Sequence, residues 1–168
     1  GKSTQVNLLK DYLDNLNFET IKTREPGGTP SAEILRDLLT TGEVEKWTPM
    51  SEALLMWASR YEHLIQVIEP ALNSGKNVIC DRFYDSTIAY QHFGLGVDIN
   101  LIRVINNYLL KGFKVNFTFL NIVNTNNMMK RLRKRKSLNR YDKFNKNFYK
   151  KVQNGFLKLA KKDIKRYK

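Results

Sequence analysis

The sequence is poor in the residues that build cross-links, metal cages and membrane spans. Its one cysteine, Cys80, excludes an internal disulfide and suits a reducing cytoplasm. Two histidines, His63 and His92, have no partner at ligand spacing, so neither is given a role. No stretch is apolar for long enough to cross a bilayer, and no apolar segment follows a basic start. A membrane partner and secretion are therefore not expected. Acids are scarce in one place. From Met128 to Lys168 there are 2 against 17 lysines and arginines, whereas the rest of the chain holds 14 against 12. A block this basic seeks anions, and by itself it fits either a nucleic-acid arm or a nucleotide-handling lid. With 168 residues, 42% of them hydrophobic, residues 1–168 suffice for one core and read as a single domain.

The apolar pattern alternates between helical and strand-like. Val6, Leu8, Leu9, Tyr12, Leu13 and Leu16 recur with a helical period, and a short β-prone run follows at Phe18–Thr23. Pro30 and Ser31 open a helix to about Thr40, and Thr48–Pro49 opens a longer one that runs through Leu72 to a stop at Gly75. Asn77–Cys80 reads as a buried parallel strand. A polar helix around Ser86–Gln91 and a helix capped by Asp98, ending near Leu110, come next. Val115–Val123 reads as a third strand, and Thr125 begins the helix that carries the basic run. Alternating strands and helices predict an α/β fold, a parallel β-sheet flanked by helices.

Three strings carry the chemistry. Gly1-Lys2-Ser3-Thr4 stands at a helix start, where backbone N–H groups bind phosphate, lysine reaches the β and γ phosphates and the next hydroxyl ligates a metal. In Thr23–Thr29 (TREPGGT) an arginine stands beside a carboxylate where a strand ends, and Pro-Gly-Gly brings backbone close to a ligand. Asp81–Gln91 (DRFYDSTIAYQ) does the same at the next strand, with an acid to orient a metal and an arginine to bridge two phosphates. Ligands of open parallel sheets sit at such strand ends.

In this order the three strings resemble the thymidylate kinases, P-loop enzymes that phosphorylate dTMP from ATP, and the resemblance covers nearly the whole chain. It implies a P-loop nucleoside monophosphate kinase fold. It also implies that this stretch lacks the first central strand and the last strand, GKST being the second half of the phosphate loop. The implied activity is direct in-line transfer from ATP with Mg²⁺ as cofactor, in a cytoplasmic homodimer packed through helices that include the one around Glu52–Leu72; nucleic acid is not expected as a partner. ATP falls to Gly1, Lys2, Ser3, Thr4 and Arg140, and the metal to Ser3 and Asp81. The dTMP site falls to Arg24, Glu25, Pro26, Met56, Arg60, Arg82, Thr87, Tyr90 and Gln91, with Gln91 on the base edge and Tyr90 under the sugar. Lys2, Arg82, Arg133 and Arg135 are the catalytic cations, the last two on a mobile lid at about 130–144. Three positions depart from the family pattern. Met56, next to Trp57, replaces a phenylalanine, Asn139 replaces an aspartate of the lid, and Asn121 stands where a strand commonly ends in aspartate.

Overall fold

The computed structural model describes residues 1–133, 135 and 137–168, with Thr125 as backbone only. Helix α1 (Lys2–Asn15) starts from Gly1, and strand β1 (Thr20–Arg24) follows. Helix α2 (Pro30–Thr40) has proline at its first position, where a missing N–H costs nothing. Helix α3 (Pro49–His63) runs through a π-turn at Leu64–Ile68 into α4 (Glu69–Asn73). The long helix predicted to reach Leu72 is thus nearly continuous but widened in its middle, and Gly75 follows it with φ of 80°. Strand β2 (Asn77–Asp81) lies parallel to β1, with Thr20 facing Asn77 and Arg24 facing Asp81.

Helix α5 (Tyr84–Thr87) passes into a second π-turn at Ile88–Gly94, and α6 (Ile99–Leu110) is capped by Asp98, whose carboxylate accepts from the N–H groups of Asn100 and Leu101. Helix α7 (Thr125–Arg133) carries the start of the basic run, a 3₁₀ turn at Arg140–Lys143 closes it, and α8 (Lys146–Lys162) follows.

The third strand is a correction. Between α6 and α7 the described residues hold only an isolated bridge, Thr118 to Tyr167. The Val115–Val123 run has the right composition, but a strand exists only in a ladder. Among the described residues it pairs only with the segment Arg166–Lys168, through Thr118, Leu120, Arg166 and Lys168. Phe117, Phe119 and Ile122 accordingly stay exposed.

The chain gathers into two compact units. The first comprises Gly1–Leu38 and Leu55–Phe83, the second Leu39–Leu54 and Tyr84–Lys168. In the first, α1 packs on both strands. In the second, α8 packs on the Ile88–Gly94 turn, around Ala89, Phe148 and Val152. Gly94 and Gly155 make that approach possible, because a Cβ on either meets the ring of Phe148 or Phe93 at 2.5 Å. Among the described residues no helix is long and apolar enough to cross a membrane.

Candidate active site

The parallel register sets the first unit's site. Because Arg24 faces Asp81, the two strand-end strings leave the sheet side by side, and the Glu25 N–H donates to the Asp81 carbonyl at 3.1 Å. Lys2, on the first turn of α1, comes to the same strand end. Its Nζ lies 3.3 Å from Asp81 Oδ1, both groups partly exposed. Gly1, Ser3 and Thr4 are exposed. Arg82 has φ of 77°, a left-handed conformation that costs a non-glycine residue about 1–3 kcal/mol unless its surroundings impose it. The Cys80 thiol donates to the Arg82 carbonyl at 2.9 Å. Burial and the nearby Glu25 charge push that thiol well above its ordinary value, so Cys80 stays a protonated donor.

Glu25 is the buried centre of this unit. Its Oε2 accepts from Nε and Nη2 of Arg60, both at 2.8 Å, and its Oε1 faces His63 Nδ1 at 3.4 Å. On its other side His63 Nε2 meets Thr23 Oγ1 at 2.6 Å. Ser59 Oγ accepts from the Gly27 N–H at 3.1 Å. Ser59, Arg60 and His63 therefore hold the Thr23–Thr29 loop from one face of α3, the i, i+1, i+4 spacing of a single helical side. The loop needs its glycines. Gly28 has φ of +98°, and a Cβ there meets the His63 ring at 2.4 Å.

Arginines surround the turn. Arg24, 55% exposed, pairs with Glu33 at 3.0 Å, and the other Glu33 oxygen accepts from the Gly28 N–H at 2.9 Å. Burial raises the Glu33 pKa, but that hydrogen bond and Arg24 outweigh it, so the carboxyl titrates below its ordinary value. Arg36 donates to the Pro26 carbonyl at 2.7 Å. Its own pKa is lowered by burial and by the like charges of Arg24 and Arg82. Like charges that act on Arg36 from two sides, offset by Glu33 and Asp37, make a basic environment suited to an anion. Met56 is half-buried, whereas Trp57 is 3% exposed and belongs to the core.

The second unit holds a different constellation. Thr87 and Gln91 are both 1% exposed. Gln91 Nε2 donates to Glu52 Oε1 at 2.8 Å, and Glu52 Oε2 accepts from Arg140 Nη1 at 2.5 Å. Arg140 also donates to the carbonyls of Glu43 (2.9 Å), Leu39 (3.4 Å) and Val44 (2.7 Å). Arg140, expected at ATP, thus lies buried within this network. It is 1% exposed, and all three of its nitrogens are committed within the protein. Tyr90, expected under a sugar, packs its ring edge-on against Tyr141 (5.8 Å), Phe148 (5.9 Å) and Phe156 (6.3 Å). In the basic segment, Arg133 is exposed at the end of α7. Arg135, 54% exposed, donates to both oxygens of Asp142 at 2.7 and 2.6 Å. Asn139 caps the turn: its side chain accepts from the Asp142 N–H at 3.1 Å while Asp142 accepts from the Asn139 N–H.

Sequence reasoning missed Glu33, Arg36, Ser59, His63 and Glu52. The signal for Ser59 and His63 was helical periodicity, which puts them on the face of Arg60. Glu52 showed itself only as a charge set against the apolar run Ala53-Leu54-Leu55.

A helix-start lysine beside two parallel strands that end in Arg-Glu and Asp-Arg defines a P-loop nucleoside monophosphate kinase. A family model for thymidylate kinase matches residues 1–168. The chain is 38% identical over 167 residues to thymidylate kinase of Sulfurihydrogenibium sp. strain YO3AOP1, covering 99% of this chain and 81% of that protein. It is 40% identical over 168 residues to the enzyme of Wolbachia pipientis subsp. Culex pipiens strain wPip, covering 99% and 78%. Among solved structures, the crystal structure of thymidylate kinase from Ehrlichia chaffeensis is similar with a TM-score of 0.81 at 37% identity, covering all of this chain and 84% of that one. The chain belongs to the thymidylate kinase family.

Proposed function

We propose that the protein transfers the γ-phosphoryl group of ATP to dTMP, giving ADP and dTDP by in-line displacement. The observation that carries this reading is the convergence of Lys2 and Asp81, 3.3 Å apart, at the sheet end where β1 delivers Arg24 and Glu25 beside Asp81 and Arg82. Phosphoryl transfer asks little covalent chemistry of a protein, so positioning and positive charge supply the rate. Lys2 holds the β and γ phosphates, with the N–H groups of Gly1–Thr4 around them. Arg82 lies between donor and acceptor phosphates, and Arg24 and Arg36 hold the phosphate of the nucleoside monophosphate. Arg60, fixed by Glu25, and Met56 take the base, with Pro26 at the turn beside them. In the second unit the family resemblance gives Thr87, Tyr90 and Gln91 to the nucleoside, and Arg135 or Arg133 to the charge of a lid. Arg140, which the family resemblance gives to ATP, is also a strut between Glu52 and three backbone carbonyls.

The donor set suits Mg²⁺. Among the described residues no three metal-ligating side chains gather to cage an ion. Mg²⁺ binds through one or two carboxylates together with substrate phosphates, and the Ser3 hydroxyl and Asp81 carboxylate are hard oxygen donors of that kind. When bound, the ion screens the phosphate charge. A homodimer working in the cytoplasm completes the reading, and it rests on the family resemblance alone.

The test is ADP release from ATP with Mg²⁺, comparing dTMP, dUMP, dCMP and ribothymidine monophosphate. A strong preference for dTMP is expected. Lys2→Met should lower kcat by about 10³-fold while the protein stays folded, the scale of losing one pre-placed charge at the reacting phosphates. Turnover of another monophosphate in preference to dTMP would move the substrate, and an unchanged kcat in the Lys2 variant would remove the lysine from the chemistry.

A further inference from the structure

We propose that Glu52, held by Arg140, sets which end of the Gln91 amide meets the base, and so decides that the site accepts thymine and rejects cytosine. The inference rests on the reading that Gln91 faces the nucleobase and adds to it the polarity of that contact.

Gln91 is chemically two-ended, with an amide NH₂ that only donates and a carbonyl that only accepts. Glu52 is 0% exposed, and its Oε2 takes a hydrogen bond from Arg140 Nη1 at 2.5 Å. A carboxylate in an ion pair with a guanidinium presents oxygens that accept hydrogen bonds. Tyr141 carries the same mark, its phenol pushed upward by burial and then by the Glu52 charge. Only the NH₂ of Gln91 can therefore face Glu52, as it does at 2.8 Å. The opposite end, Oε1, receives no hydrogen bond from any described residue.

A fixed acceptor has a definite partner on thymine. O2 and O4 of that base are acceptors themselves, so the ring N3–H is the one edge group that can donate to Gln91 Oε1. Cytosine carries an unprotonated N3, another acceptor, and would set two lone pairs against each other. Uracil shares the N3–H, so this contact separates thymine and uracil from cytosine and leaves the methyl group to other residues. Glu52 is a positioning residue. It reaches the substrate through Gln91, while the three backbone carbonyls that accept from Arg140 fix the guanidinium that orients it.

The substitution Glu52→Gln turns the argument into a reversal. Arg140 only donates, so it will claim the carbonyl of the new amide and turn its NH₂ toward Gln91. Gln91 must then flip, presenting NH₂ at the position of N3. The dTMP over dCMP ratio of kcat/KM should fall by roughly 10- to 100-fold, the scale of one mismatched buried hydrogen bond. KM for dTMP should carry the change and KM for ATP should stay within twofold. Gln91→Leu should erase the preference without reversing it. If Gln91→Leu loses discrimination and Glu52→Gln keeps it, the control by Glu52 is wrong although Gln91 reads the base. If neither variant changes discrimination, Gln91 does not read the base and the proposal falls with that contact. Failure of the parent to phosphorylate dTMP at all would instead overturn the function proposed above. A second measurement needs no folded variant. In the native protein, ¹⁵N-glutamine spectra should show one Gln91 amide proton shifted downfield and protected from exchange; a solvent-like signal would overturn the proposal.

Discussion

Each unit contains a buried arginine–glutamate pair, and the two pairs are built differently. Arg60 and Glu25, 3% and 4% exposed, form the first. Arg140 and Glu52, 1% and 0% exposed, form the second. In the first, the carboxylate has a second partner in His63 and the ensemble supports a loop. In the second, the carboxylate is backed by the neutral amide of Gln91, and the arginine spends its other hydrogen bonds on three carbonyls. One pair steadies the Thr23–Thr29 loop, while the other fastens the Arg140–Lys143 turn to the chain segment Leu39–Val44. Similar burial and similar charges thus serve two ends, and the third partner makes the difference.

Removing each arginine should break the comparison most visibly. Taking away one partner of a buried pair leaves an uncompensated charge and costs about 3–5 kcal/mol. Arg140→Met should reach that range in urea denaturation. Arg60→Met should cost less, because His63 remains on Glu25, but should raise KM for the monophosphate. Arg135→Ala, which breaks a pair whose arginine is half in water, should change stability by less than about 1 kcal/mol. A larger loss from Arg60→Met than from Arg140→Met would reverse the assignment of strut and loop support.

Gly28→Ala tests how tightly the first unit is closed. The substitution forces a Cβ to within 2.4 Å of the His63 ring at φ of +98°, and should cost about 2 kcal/mol by thermal or urea unfolding. Adding His63→Ala should make the double variant more stable than the sum of the single effects predicts. Strict additivity would show that the backbone angle, and not the ring, is the constraint.

The smallest effect is electrostatic. Glu33 titrates below its ordinary value because the Gly28 N–H and Arg24 favour its charged form. A carboxyl lowered on folding stabilises the protein above its unfolded-state pKa, and that contribution is lost as pH falls through the folded-state value. The stability of the parent should therefore decline more steeply than that of Glu33→Gln below the ordinary carboxylate value of 4.5. Parallel profiles would remove Glu33 from the loop's support.

Much of this was legible in the chain. Helix starts were readable at Pro30, Pro49 and Asp98, because each residue type satisfies or removes an orphan N–H. Strand ends were readable at Arg24 and Asp81, because apolar runs give way there to charge. The π-turns at Leu64–Ile68 and Ile88–Gly94 were not readable, since the apolar pattern hardly changes when a helix widens by one residue. Val115–Val123 misled because strand propensity describes a surface that fits a sheet and says nothing of whether a neighbour exists to pair with.

The sequence by itself determined the chemical inventory and the family: a lysine at a helix start, two strand-end arginines beside acids, and a basic segment, all identified by residue type and order along the chain. Tertiary structure alone decided the roles of the charges. Arg24, Arg60, Arg135 and Arg140 are the same residue in the string, yet their exposures run from 55% and 54% down to 3% and 1%. The worth of a charge depends on how much water it keeps and which partner replaces that water, and both are properties of the folded chain.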